Sequence, residues 1–166
     1  MENNNKKIEN SDTINPEFEQ FSVTLQERIG YSFKDVRLLK TALIHKSHSN
    51  EKRQQKHSCE DQDALATLGD AVLKTILCDW LIRKGYDTKG QITIKKSEIE
   101  NRESLAQLGK KFELMKYIQV GKGAEEQKHN EQSNVIAETL EAVIGAIYID
   151  SGFDRAKEVI LTWYGP

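Results

Sequence analysis

The stretch DQDALATLGDAVLKTILCDWLIRK, residues 61–84, decides the fold. Leu65, Leu68, Val72 and Ile76 recur at intervals of three and four residues, which lays one apolar stripe along a helix. Gly85 follows directly, and glycine at that place is a common helix stop because it tolerates positive φ. The segment is long enough to serve as the central rod of a domain. It also carries carboxylates that a core does not need: Asp63 and Asp70 lie on one face, with Ala66 between them on that face.

Toward the amino terminus, Phe18, Phe21, Leu25 and Ile29 keep helical spacing up to Gly30. Val36, Leu39 and Leu43 predict a second amphipathic helix running into HKSHSNE, and residues 50–60 read as a hydrophilic loop. Toward the carboxyl terminus, residues 92–112 predict one helix with Ile99, Leu105 and Leu108 inward and Lys95, Lys96 and Arg102 outward. Residues 121–131 read as a mobile charged loop. Ile136, Leu140, Val143 and Ile147 predict a helix over 135–150, and after the Ser151-Gly152 break another covers 153–163. No repeat and no strand is indicated, so the expected fold class is all-α.

The 166-residue length suits one domain. Residues 1–15, rich in Asn, Lys and Glu, are expected to form a disordered tail, leaving one domain over 16–166 and no separate second module. The formal net charge of −2 excludes an overall basic field, so any nucleic-acid contact must use a local patch or a metal. Cys59 and Cys78, the only cysteines, suit neither a disulfide framework nor a zinc site and are expected as reduced thiols. No apolar run approaches the roughly 18 residues of a membrane span and the amino terminus is polar, so a cytoplasmic protein is expected.

A second acidic pair, Glu138 and Glu141, sits three residues apart and so shares a helix face. If this face met that of Asp63 and Asp70, the crowded carboxylates would repel one another unless a cation intervened. Magnesium fits such a place, because it takes oxygen ligands, keeps several waters and bridges carboxylates to phosphate. Metal-assisted hydrolysis of a phosphodiester would follow. Spacing alone does not separate this arrangement from a solvated acidic surface, which is the commoner use of helical carboxylates.

The words around these residues add to the spacing. ALATLGDAVL, residues 64–73, resembles the signature helix of the ribonuclease III family, N-E-R-L-E-F-L-G-D-x-x-L. VIAETLEAVIGAIYIDSG, residues 135–152, resembles that family's A-D-x-x-E-A-x-x-G-A-x-Y-x-D motif. GYSFKD, ALIHKSHSNE and NRESLAQLGKKFEL extend the similarity over almost the whole chain. The resemblance implies an all-helical endonuclease domain that forms a homodimer and cuts double-stranded RNA with Mg2+, Mn2+ being a possible substitute, and without any nucleotide cofactor. It assigns Asp70 and Glu141 as catalytic, Asp70, Glu138 and Glu141 as metal ligands, and Asp63 as a supporting carboxylate. Processing of ribosomal-RNA precursors is the plausible setting.

Two positions depart from the pattern. Ala66 stands where the family has a metal-site glutamate, and Glu138 replaces an aspartate. An alanine coordinates nothing, so a water must fill that place or the protein is an inactive relative that binds duplex RNA or builds a ribonucleoprotein. The mini-ribonuclease III branch is similar in carrying alanine there, within an A-L-A-x-x-G-D-A signature. Thr67 holds the place of an aromatic residue that packs across the family's dimer interface, which predicts a weaker dimer, with Leu68 and Val72 in the core.

Duplex RNA is recognised mainly through phosphates and 2′-hydroxyls, so charge and shape suffice. Lys95, Lys96, Arg102, Lys122 and Lys128 are the candidate phosphate contacts, each weighed against an ordinary solvated cation. His45 and His48 are expected to be structural, since magnesium prefers oxygen, and Trp80 and Trp163 are expected in packing rather than base stacking.

Overall fold

The apolar stripe of residues 61–84 does form a helix, and a second helix, more deeply buried still, lies against it. The computed structural model describes residues 16–165. Its helices are α1 (Pro16–Ile29), α2 (Val36–Ala42), α3 (Lys46–Gln54), α4 (Asp63–Arg83), α5 (Lys89–Glu100), α6 (Arg102–Lys111), α7 (Lys122–Glu126), α8 (Ser133–Ser151) and α9 (Phe153–Thr162). Two short 3₁₀ turns, Leu114–Lys116 and His129–Glu131, lie between α6 and α8. An isolated bridge between Ile44 and Gln119 is the only β pairing among the described residues, and the fold is all-α as expected. The tail assigned to residues 1–15 lies outside the described residues. Among the described residues no helix is long and apolar enough to cross a membrane.

The central rod is α8 rather than α4. From Val135 to Ile147 nearly every α8 side chain is buried, whereas α4 buries one side through Leu65, Ala66, Val72, Leu73, Ile76, Leu77 and Leu81. A helix apolar all round belongs inside, and one with a single apolar stripe covers it. Leu68 packs at the margin of the same core, as expected. The two helices touch through bare backbone. A Cβ on Gly69 would overlap the carbonyl of Glu141, and one on Gly145 would overlap the carbonyl of Leu65. Glycine at both positions is therefore what permits this close an approach.

Three expected boundaries are corrected. Residues 50–60 do not all form a loop, because α3 continues to Gln54. His45 starts α3, its ring Nδ1 accepting from the Ser47 backbone N–H at 3.2 Å. Residues 92–112 form two helices rather than one. Asn101 leaves the helical conformation and its side chain accepts from the Ser104 N–H at 2.9 Å, capping α6, so a residue counted as helix interior is a helix start. Residues 121–131 contain α7 and a 3₁₀ turn and are tied down. The Gly121 N–H donates to Ser47 Oγ at 3.0 Å, and the Lys122 N–H donates to Glu51 Oε2 at 2.8 Å.

Long-range polar contacts close the domain. Asp150, near the end of α8, accepts from Tyr31 Oη at 2.6 Å and from the Lys34 and Asp35 backbone N–H groups at 2.9 Å each. One carboxylate thereby satisfies the turn between α1 and α2. Trp163 donates from Nε1 to the Ile29 carbonyl at 2.8 Å and packs edge-on to Phe112, which gives it the packing role expected of it. Trp80 lies under the Lys84 ammonium, 4.3 Å from the ring centre. Cys59 and Cys78 are both free thiols.

Candidate active site

The acidic faces of α4 and α8 meet. Gln62, immediately before α4, is fully buried and accepts from Thr139 Oγ1 of α8 at 2.9 Å, and its backbone N–H donates to the Ile44 carbonyl. Thr139 lies between Glu138 and Glu141, so this bond fixes the start of α4 beside the acidic turn of α8. About two turns further along α4, the Gly69 and Gly145 contacts hold the backbones together. Between these two fixtures lies an open cleft of about 390 Å³, lined by Asp63, Ala66, Thr67, Asp70, Glu138 and Glu141.

All four sequence-assigned carboxylates thus line one cleft, and so does the alanine that departs from the pattern. Ala66 is buried, Asp70, Glu138 and Glu141 are half-buried, and Asp63 and Thr67 are exposed. Burial pushes the Glu141 carboxyl up to about 7, and the charges of Asp70 and Glu138 push in the same direction, while the Lys74 ammonium opposes them. A carboxyl driven toward its neutral form by burial and then by neighbouring carboxylates marks a place that a cation would relieve. The donors are all oxygens, which suits a hard divalent ion. Among the described residues, however, no three side chains form a ready-made metal cage. Asp70 is instead engaged by Lys74, whose Nζ donates to Oδ2 at 2.6 Å.

Lys74 was not among the sequence-assigned site residues, although its position four residues after Asp70 on one helix is the readable signal for such a pair. Neither His45 nor His48 lines the cleft. His45 caps α3, and burial lowers its ring below the ordinary histidine value. The five proposed phosphate contacts also lie outside the cleft lining. Lys95 pairs with Glu98 at 2.9 Å, and Lys96 forms a largely buried pair with Glu100 at 2.7 Å. Arg102, Lys122 and Lys128 are exposed.

A bundle of helices around a buried central helix, with a carboxylate-lined cleft where two glycines bring the central helix against its neighbour, is the class that fold and site define. A family model described as Ribonuclease-III-like matches residues 35–166, and the chain belongs to that family. It is 38% identical over 144 residues to Ribonuclease 3 of Bdellovibrio bacteriovorus, which covers 86% of this chain and 60% of that protein. Ribonuclease 3 of Clostridium acetobutylicum is 37% identical over 147 residues, covering 87% of this chain and 62% of the relative. The chain therefore spans about 60% of the length of these relatives. Among solved structures, the nuclease domain of ribonuclease III from Campylobacter jejuni superposes with a TM-score of 0.77 at 29% identity, covering 86% of this chain and 94% of that one. That structure is described for flexibility in a region involved in dimer formation.

Proposed function

We propose that this domain is an endoribonuclease that hydrolyses phosphodiester bonds in double-stranded or structured RNA with the help of a divalent ion. The observation that carries this reading is the meeting of Asp70 from α4 and Glu141 from α8 in one cleft. Asp70, Glu138 and Glu141 would hold magnesium or manganese through their carboxylate oxygens, with water in the place left by Ala66. When bound, such an ion supplies an activated water and neutralises charge on the leaving oxygen.

The chain's own residues supply the remainder. Before an ion binds, the Glu141 carboxyl, raised to about 7, can hold a proton at its Oε atoms in the neutral range, and it would release that proton on becoming a ligand. Asp63 extends the acidic lining to the exposed rim, where it strengthens the attraction for a cation. Arg102, Lys122 and Lys128, exposed on α6 and around α7, are suited to RNA phosphates, and Lys95 can join them by leaving its surface pair with Glu98. Lys96 is the weakest of the five, because its partner is largely buried. Pairing of two copies across the α4 side that bears exposed Thr67 is the dimer arrangement this reading favours, and cytoplasmic processing of ribosomal-RNA precursors is its natural setting.

The test is incubation of the purified chain with long duplex RNA and Mg2+ beside an Asp70→Asn control. Cleavage by the wild type and loss in the control is the expected result. Binding of the duplex without cleavage would select the inactive relative instead. Ala66 and Glu138 allow a sharper test. Restoring the family pattern with Ala66→Glu and Glu138→Asp together should raise duplex cleavage about tenfold, the scale on which altered metal surroundings act. Equal rates for the two proteins would count against a water-filled ligand place.

A further inference from the structure

Lys74 lies one turn beyond Asp70 on α4, and its Nζ donates to Asp70 Oδ2 at 2.6 Å. Asp70 lines the cleft and Lys74 lies beside that lining, the Lys74 and Asp70 side chains being 46% and 39% exposed. The carboxylate most needed for a metal is therefore already matched with a cation. Beyond Asp70, the Lys74 ammonium also feels the charges of Glu100 and Glu141.

Glu100 closes α5 and is only half used. Its Oε1 accepts from Lys96 Nζ at 2.7 Å, while Oε2 is buried with no hydrogen-bond partner among the described residues. A buried carboxylate oxygen without a donor is costly, and an ammonium on a four-carbon stem is well suited to reach it. The Tyr164 hydroxyl is also buried without a partner and feels the charge of Glu100. It is neutral, so a cation wins the competition for that oxygen.

Resting on the metal-dependent reading above, we propose that Lys74 is a tethered counter-cation, which neutralises Asp70 while the cleft is metal-free and moves to the free oxygen of Glu100 when a divalent ion takes Asp70. The physical sequence is simple. A dication at Asp70 outcompetes a monovalent ammonium for the carboxylate and repels it, and Glu100 is the nearby anion with acceptor capacity to spare. Lys74 thereby offsets the Asp70 charge before metal arrives and leaves that carboxylate free afterward.

The test is Mn2+ binding to the full chain, followed by electron paramagnetic resonance in five proteins: wild type, Lys74→Met, Lys74→Arg, Glu100→Gln and the double variant Lys74→Met with Glu100→Gln. Removing the competitor in Lys74→Met should tighten Mn2+ binding about fivefold, and Lys74→Arg should stay within about twofold of wild type, as the strength of a surface ion pair dictates. Glu100→Gln, which keeps an amide oxygen for Lys96, should weaken binding about threefold when Lys74 is present and by less than about twofold in the Lys74→Met background. Unchanged affinity in Lys74→Met overturns the competition. A Glu100→Gln effect of equal size in both backgrounds overturns the transfer. Failure of every protein to bind Mn2+ would overturn the metal-dependent reading itself, and this inference with it.

Discussion

Glu141→Gln should lower cleavage of duplex RNA by about a thousandfold, on the scale seen when a group that stabilises the transition state is removed, while making the metal-free protein more stable above neutral pH. The two effects have one origin. In the folded chain the Glu141 carboxyl is raised from its ordinary 4.5 to about 7, first by burial and then by Asp70 and Glu138. Between those values the folded protein holds a proton that the unfolded chain has released. Stability referred to this group is therefore complete below about 4.5 and lost as pH rises through about 7. Glutamine keeps the shape without the charge, so the variant lacks this decline. Urea unfolding in a chelator at pH 5 and at pH 8 measures it: wild type should lose stability relative to the variant between the two. Parallel behaviour of the two proteins would mean that no strained carboxylate exists at this position.

Gly69→Ala is expected to cost about 3 kcal/mol or more of stability and to abolish cleavage, although it alters no carboxylate. The added methyl would overlap the Glu141 carbonyl, a backbone atom that cannot rotate away, so α4 and α8 must separate. Gly145→Ala should act the same way against the Leu65 carbonyl. Gly90→Ala is the matched control. Gly90 lies in α5 with open space around it, and alanine there should be neutral or stabilise by up to about 1 kcal/mol, since alanine is the better helix former. Chemical denaturation of the three variants reads the difference directly. A Gly69→Ala protein as stable as Gly90→Ala would show that the helices do not depend on backbone contact.

The sequence disclosed what periodicity carries. The stripes of α4 and α8, and the shared faces of Asp63 with Asp70 and of Glu138 with Glu141, follow from helical spacing alone. That the two faces meet came from the family resemblance, since nothing in either helix names its partner. Breaks set by single local hydrogen bonds were harder to see. Asn101 and His45 both act through one side-chain acceptor, and a window of apolar residues averages over them. The greater burial of α8 was visible in its composition, yet α4 is the longer helix and drew the role of central rod. Lys74 could be read from its distance to Asp70, whereas Glu100 could not, because its relation to the cleft exists only once α5 has folded back on α4.

The hydrogen bond between Gln62 and Thr139 has a consequence for precision. Both residues are completely buried, and one directly precedes Asp63 while the other separates Glu138 from Glu141. If α8 rolled or slid by one residue against α4, the Gln62 amide, whose Nε2 is already buried without a partner among the described residues, would lose its bond to Thr139 as well, at about 1–3 kcal/mol. Apolar packing alone permits such slippage, because one methyl group replaces another at little cost. The polar pair works as a keyway, admitting a single rotational phase of the two helices and so indexing the acids of one against those of the other.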